Sequence, residues 1–216
     1  MSRKSATHRE TEIKIRVPDM PALLDKLSAL GIRPRGRVLE YNTLFDTENA
    51  DLRNRGCLLR LRTETPAPNS SSPGGPERAI LTAKFPAPAD TEKGRLSAYK
   101  HALEREVVLP ETPSRRSPSK RKLVDRGWAF ALGCLGLHSK FRYEKYRTSF
   151  RADGANIDLD ETPVGVFLEL EGEPELIDRV ARCLGYSPED YIRSSYYGLY
   201  ATEQRKKGRP VRHMLF

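Results

Sequence analysis

Cysteine and histidine are scarce in this sequence. Its 216 residues include three cysteines, Cys57, Cys134 and Cys183, and four histidines. The cysteines are far apart, odd in number and never arranged as CxxC, which argues against a disulfide framework and against a zinc site. The histidines are equally scattered, and this spacing is more typical of surface or packed residues than of metal ligands.

Long apolar runs are also missing. The most apolar stretch, residues 127–139, is shorter than the ~18 residues that a membrane-spanning helix needs and is typical of a buried helix. The basic N-terminal residues lack the apolar segment of a secretion signal. We therefore expect a cytoplasmic protein that makes no membrane contact.

The net charge of +9 is concentrated in two short segments. Residues 112–122 and 205–216 each hold five basic residues and no acidic one, so the remainder of the chain is close to neutral. Such segments can bind nucleic acid or an acidic partner weakly. The preferred interpretation is a basic loop and a solvated tail that aid solubility.

The expected organisation is a single domain over residues 1–204 followed by the basic tail at 205–216. Residues 65–78 and 110–122 are rich in Pro, Ser, Gly or basic residues and predict flexible loops within that domain. Capping residues and apolar spacing predict helices over residues 19–30, 123–135 and 174–184, with a short closing helix over 191–200.

The remaining segments predict strands in which charged and apolar residues alternate. Along a strand, side chains point to opposite faces with a period of two, so Glu10, Glu12 and Lys14 share one face. One such strand would fit a sheet with a solvated face. Here most strands repeat one charge sign on one face: Arg60 and Arg62, Glu104 and Glu106, Lys140 and Arg142, Asp158 and Asp160, Glu169 and Glu171.

Facing rows of acidic and basic side chains predict a barrel with a charged interior. We expect an α+β fold, mainly antiparallel β, in which eight strands close into a barrel flanked by helices. A barrel of about eight strands can hold one small ligand. Its carboxylates would bind Mg²⁺ or Mn²⁺, and its Lys and Arg residues would bind phosphate oxygens. The expected partner is therefore a small triphosphate.

The order of these motifs resembles the CYTH superfamily, also called the triphosphate tunnel metalloenzymes. Glu10-Thr-Glu12-Ile-Lys14 is similar to its ExExK signature, and Leu59-Arg60-Leu61-Arg62 to its LRxR strand. The resemblance extends from about residue 8 to 201 through these further pieces: Asn42–Thr47, Leu81–Lys84, Glu104–Glu106, Lys140–Arg142, Tyr146-Arg147, Asp158–Glu161, Phe167–Glu171 and Ser195-Tyr196.

The resemblance implies a role for each matching residue. Divalent metal ions would be held by Glu10, Glu12, Asp158, Glu169 and Glu171. The triphosphate would be bound by Lys14, Arg60, Arg62, Lys84, Lys140 and Arg142. Glu104 and Glu106 would support these basic residues, and Lys14, Glu10 and Glu12 would be catalytic.

Three functions fit this pattern. The first is metal-dependent hydrolysis of inorganic tripolyphosphate or thiamine triphosphate. The second is a class IV adenylyl cyclase that converts ATP to cyclic AMP and pyrophosphate. The third is a non-catalytic module that binds polyphosphate or an RNA 5′ end. Acidic rows favour the enzymes, because a pure anion binder gains nothing from Glu10 and Glu12.

Overall fold

A computed structural model describes residues 8–67, 78–87, 98–109 and 127–216. The strands are β1 His8–Val17, β2 Gly36–Asp46, β3 Leu58–Pro66, β4 Arg78–Pro86, β5 Lys100–Leu109, β6 His138–Ala152, β7 Ala155–Thr162, β8 Gly165–Glu171 and β9 Tyr191–Ile192. The helices are α1 Met20–Ala29, α2 Asp51–Asn54, α3 at 127–133, α4 Pro174–Cys183 and α5 Tyr196–Lys206.

Eight antiparallel strands close into a barrel in the order β5-β4-β3-β2-β6-β7-β8-β1. The barrel closes because the first half of β1 pairs with β5 and the second half pairs with β8. The short strand β9 adds to β1 beside Lys14 and Ile15. The predicted closed eight-stranded barrel is confirmed.

The apolar face of several strands lies on the outside of the barrel, under two helices. Ile13 and Ile15 of β1 are buried against Leu27 of α1 and Ile177 of α4. Full burial of one such side chain stabilises the fold by ~1.5–3 kcal/mol. Because alternate side chains point to opposite faces, this packing turns the charged residues of β1 into the lumen.

Local sequence signals set the limits of these two helices. Asp19 caps α1 by accepting a hydrogen bond from the backbone N–H of Ala22 at 3.0 Å, and Gly31 follows its end in the left-handed region. Pro174 occupies the first turn of α4, and Gly185 adopts a positive φ after its end. Both helices match the predicted ranges.

The structure corrects two predictions near the C-terminus. The short helix predicted over residues 191–200 is instead the strand β9 followed by α5, which begins at Tyr196 after its cap Ser195. Residues 205–216 are not a solvated tail throughout, because Met214 is buried and bridges Tyr143 of β6. The backbone N–H of Met214 donates a hydrogen bond to the carbonyl oxygen of Arg142, and its carbonyl oxygen accepts one from the backbone N–H of Glu144, both at 2.9 Å.

Several predictions lie wholly or partly outside the described residues. The predicted loop at 110–122 lies outside them, as does most of the loop at 65–78. The predicted helix at 123–135 is seen as α3, whose Leu132 packs against Phe45 of β2 and Leu61 of β3. Within the described part of the chain, no helix is long and apolar enough to cross a membrane.

Candidate active site in the barrel lumen

The barrel encloses a cavity of about 220 Å³ that is lined by both acidic and basic side chains. Eleven of the thirteen predicted site residues line it: Glu10, Glu12, Lys14, Arg60, Arg62, Lys84, Glu104, Glu106, Asp158, Glu169 and Glu171. The lining also includes charged and aromatic residues to which the sequence analysis gave no role in the site: Lys100, Lys145, Arg147, Tyr143, Tyr196 and Tyr197.

Lysines pair directly with the carboxylates of β1 in the lumen. Lys84 of β4 lies 2.5 Å from a carboxylate oxygen of Glu10, and Lys100 of β5 forms an ion pair with Glu12. Lys14, on the same face of β1, lies 2.6 Å from Glu169 of β8. The cross-strand register produces this last contact, because Lys14 and Glu169 are direct partners.

The predicted supporting acids of β5 contact basic residues of the two next strands in the same wall, β4 and β3. Glu104 of β5 lies 3.2 Å from Lys84. Glu106 lies 3.5 Å from Arg60 and also accepts a hydrogen bond from Thr82 at 2.9 Å. Their placement agrees with the supporting role that the resemblance implied, and the role itself stays a prediction.

Lys140 and Arg142 do not line the cavity, which corrects their predicted placement. Lys140 is exposed and pairs with Glu48 at 2.9 Å outside the lumen. The inward positions of β6 are odd-numbered, and they place Lys145 and Arg147 in the lumen. A β-bulge opposite Leu44 and Phe45 of β2 interrupts the register beside Lys140.

The sequence contained a signal for the correct pair. Strand β6 carries two K-x-R patterns, Lys140-Phe-Arg142 and Lys145-Tyr-Arg147, whose positions differ in parity. A strand points alternate side chains to opposite faces, so only one of these pairs can enter the lumen without an irregularity between them. The aromatic residues Phe141 and Tyr143, which share the parity of Lys145, are buried on the inner face.

Arg147 is the most highly connected cation of the site. Its guanidinium makes two hydrogen bonds to Asp160, at 2.8 and 2.7 Å, and lies 3.0 Å from Asp158. It also forms an ion pair with Glu169. Lys145 shares Asp160, at 2.6 Å. These contacts join strands β6, β7 and β8 across one wall of the lumen.

The N-terminal turn of α5 completes the lining with aromatic side chains. The ring of Tyr196 packs edge-on against Phe167, and its hydroxyl donates to Asp160 at 2.7 Å. The ammonium group of Lys14 lies 4.4 Å from the centre of the same ring, within the range of a cation–π interaction. Tyr196 thus belongs both to the apolar cluster between α5 and the barrel and to the lining of the cavity.

Two neighbouring carboxylates of β1 have pKa values displaced in opposite directions. Burial and the charge of Glu12 raise the pKa of Glu10 to about 7. Burial and the charge of Glu169 act to raise the pKa of Glu12 as well. The surrounding lysines, Lys100 first, outweigh both effects and lower the pKa of Glu12 to about 2.

The other candidate metal ligands are also perturbed. Burial raises the pKa of Asp158 and of Glu171. Burial opposes ionisation of Glu169 too, but Lys14 and Lys145 hold its pKa well below the usual range. Strongly perturbed titratable groups that converge in a cavity are typical of functional sites.

The chemistry of the carboxylates fits a divalent metal ion. Carboxylate oxygen is the ligand that Mg²⁺ and Mn²⁺ prefer, and the five candidates lie on three adjacent strands, β1, β8 and β7. Glu12 faces Glu171, and Glu169 faces Asp158, as cross-strand partners. Among the described residues, no three such side chains converge on one point as they stand. A metal would therefore compete with the lysines and Arg147 for these carboxylates.

Similar folds occur among solved structures. A putative adenylate cyclase from Vibrio parahaemolyticus is 16% identical, with a TM-score of 0.62 over 90% of this chain and 98% of that chain. A protein from Pyrococcus horikoshii is 22% identical, with a TM-score of 0.62 over 90% and 99%. A putative adenylyl cyclase from Hippeastrum, described as having a dominant triphosphatase activity, is 20% identical, with a TM-score of 0.58 over 93% and 97%. These likenesses show the fold.

Comparison with known families is more specific. No curated protein matches the chain. The family model of the CYTH domain matches residues 8–196, from the first lumen strand to the tyrosine of α5 that completes the lining. Because this match covers most of the sequence, the chain belongs to the CYTH domain family.

Proposed function

We propose that this protein hydrolyses a small triphosphate, inorganic tripolyphosphate or thiamine triphosphate, with Mg²⁺ or Mn²⁺ as cofactor. The observation that carries the proposal is the pairing of acidic and basic walls inside one closed lumen. Buried charges of this density are costly unless a ligand or a partner offsets them. A metal–triphosphate complex carries both signs and therefore complements both walls.

The basic side chains of the lumen would bind and orient the phosphates. Arg60 and Arg62 of β3 present guanidinium groups suited to two-pronged contacts with phosphate oxygens. Lys145 and Arg147 of β6 take the place that the sequence had given to Lys140 and Arg142. Fixed positive charge would stabilise the charge that develops on the terminal phosphoryl group.

The carboxylates would hold the metal ions and complete the site. Glu10 and Glu12 of β1, with Asp158, Glu169 and Glu171, supply oxygen ligands on adjacent strands. When bound, the metal ions would polarise the phosphates and lower the pKa of the attacking water. The closed wall of strands would exclude bulk solvent from the reacting phosphate.

Adenylyl cyclase activity is the second candidate. The Vibrio structure is described as a putative adenylate cyclase, and tyrosines at the lumen surface, Tyr143, Tyr196 and Tyr197, offer aromatic area beside the phosphate site. The Hippeastrum protein is described as a putative cyclase with dominant triphosphatase activity, which favours hydrolysis as the first choice. Weak nucleic-acid contact through residues 112–122 or 205–216 and a cytoplasmic location stay predictions.

The test is a product analysis with isosteric variants. The purified protein is incubated with tripolyphosphate, thiamine triphosphate or ATP and with Mg²⁺ or Mn²⁺, and released phosphate, pyrophosphate and cyclic AMP are quantified. The variant Glu10→Gln/Glu12→Gln removes two candidate metal ligands, and Asp25→Asn on the exposed face of α1 is the matched control.

Each result of this experiment has a distinct meaning. Metal-dependent phosphate release that is lost in the double variant and with a chelator, but kept in Asp25→Asn, supports hydrolysis. Pyrophosphate together with cyclic AMP would make the protein a cyclase instead. Binding of tripolyphosphate without turnover of any substrate would contradict the enzymatic proposal and favour a binding module.

A further inference from the structure

The basic residues of the lumen fall into two groups that differ in the position of their partners. The first group pairs with carboxylates that themselves line the cavity, and its members are Lys14, Arg60, Lys84 and Lys100. A second group, Arg62, Lys145 and Arg147, also contacts two fully buried carboxylates that do not line the cavity. We call these two, Glu40 and Asp160, the rear carboxylates.

Asp160 holds two of these basic residues from behind. It is fully buried, and its two carboxylate oxygens accept hydrogen bonds from Arg147 at 2.8 and 2.7 Å and from Lys145 at 2.6 Å. A further hydrogen bond comes from the hydroxyl of Tyr196 at 2.7 Å. The two-pronged contact fixes the plane of the guanidinium as well as its position.

Glu40 lies behind the same wall on β2. It is fully buried, and its carboxylate oxygens lie 3.4 Å from Arg62 and 3.5 Å from both Lys145 and Arg147. These distances are longer than hydrogen bonds between charged groups, and one oxygen of Glu40 has no hydrogen-bond partner. Glu40 therefore acts mainly through its charge, which offsets three buried cations at once.

We propose that Glu40 and Asp160 are positioning residues, which hold Arg62, Lys145 and Arg147 as a fixed seat for the phosphates. This inference rests on the proposed function, because the seat is defined by the triphosphate that it would bind. It assigns the wall formed by β2, β3 and β6 to the anion and leaves the cavity-lining carboxylates of β1, β7 and β8 to the metal ions.

The two groups of cations should respond differently when a ligand enters. A metal held by Glu10, Glu12 and Glu169 would compete with the first-group lysines that pair with these carboxylates, and those lysines would be free to turn to the phosphates. The rear carboxylates are shielded from the cavity, so their contacts can persist while the front contacts exchange. A seat that is already in place costs less conformational entropy when the anion binds.

Loss of a rear carboxylate should therefore weaken anion binding although it makes the wall more positive. Arg147 also contacts Asp158 and Glu169, so without Asp160 it is expected to turn toward these two carboxylates. It would then point away from the phosphates and would occupy oxygen atoms that a metal requires. If the rear carboxylates only offset charge, their loss would instead strengthen anion binding.

The experiment measures binding without turnover. The probe is an imido analogue of tripolyphosphate with Mg²⁺, titrated calorimetrically into the full-length protein and into Asp160→Asn and Glu40→Gln. Both variants should bind at least ~10-fold more weakly, the effect of one lost charge-assisted contact. The matched control is Glu161→Gln, next to Asp160 on β7, which pairs with Arg37 at 2.7 Å away from the cavity and should keep its affinity.

A double variant and a steady-state measurement separate positioning from general stability. If Asp160 acts through Arg147, the effect of Asp160→Asn on affinity should be clearly smaller in an Arg147→Gln background than in the wild type. For tripolyphosphate hydrolysis, KM should rise because a displaced seat binds the substrate more weakly, and kcat should fall as well because the same cations would stabilise the developing charge. A variant that is only less folded would lower kcat and leave KM unchanged.

Three results would overturn the inference. They are unchanged affinity in both folded variants, tighter binding in either of them, and full additivity in the double variant. If Asp160→Asn does not fold, Asp160→Glu keeps the charge but moves it by one methylene, and the same ~10-fold loss is expected. A wild-type protein that binds the analogue but hydrolyses nothing would contradict the proposed function alone, and the binding comparison would still decide the role of the rear carboxylates.

Discussion

Met214 provides the sharpest prediction about how the C-terminal segment is held. The sequence indicated a solvated basic tail, but Met214 is 1% exposed and packs among Phe141, Phe167 and Tyr196. Truncating a buried Met to Ala costs ~2–5 kcal/mol in well-packed sites. Because the segment is short and can partly relax, we expect Met214→Ala to lower the free energy of unfolding by ~2–4 kcal/mol.

The matched control is the next residue. Leu215 is 41% exposed, so Leu215→Ala removes the same kind of side chain from the same segment and should cost less than about 0.5–1 kcal/mol. Urea unfolding followed by circular dichroism gives both values, and equal slopes are required for the comparison. In a thermal scan, Met214→Ala should melt ~5–15 °C below the wild type for a protein of this size. Equal stability of the two variants would refute the docked segment.

Two further predictions concern the lumen. Lys145→Ala should lower kcat/KM for tripolyphosphate ~100-fold, whereas Lys140→Ala, which loses an exposed ion pair with Glu48, should change it less than about threefold; equal losses would contradict the assigned face of β6. Burial and the charge of Glu12 raise the pKa of Glu10 to about 7, so the ionised ligand is present above that pH and lost below it. Apparent Mn²⁺ affinity with the imido analogue present should weaken by up to ~10-fold per pH unit below 7, and Glu10→Gln should flatten this dependence.

The barrel and most of its lumen could be predicted because successive residues of a strand point to opposite faces, so one stretch of sequence shows both the apolar outer face and the charged inner face. In β1, β3 and β8 the charged residues occupy every second position and alternate with apolar residues. This pattern can be recognised without knowing where each strand begins and ends. The inward positions Glu10, Arg60 and Glu169 follow directly from that spacing. The antiparallel register then brings Lys14 opposite Glu169 without any further signal.

The errors came from features that a period of two does not encode. On β6 both parities carry a Lys and an Arg, and the bulge beside Lys140 depends on the pairing of β2 with β6. The tail was misassigned because its contact with β6 spans so few residues that no periodicity can be read. Glu40 and Asp160 have the parity of lumen residues, but their depth behind the cations follows from packing across three strands.

The two faces of β1 determine which mutations the barrel can accept, substitutions or changes in the length of the strand. Ile13 and Ile15 contribute to the apolar layer beneath α1 and α4, while Glu12 and Lys14 belong to the lumen. Joint replacement of both members of a lumen ion pair leaves the apolar layer untouched, so codon substitutions can alter the chemistry of the tunnel without altering its scaffold. Insertion or deletion of one codon in the middle of β1 would exchange the faces beyond it, burying charges under the helices. We therefore expect changes of substrate specificity in this barrel to arise by substitution of lumen residues, and not by insertion or deletion of a single residue in β1.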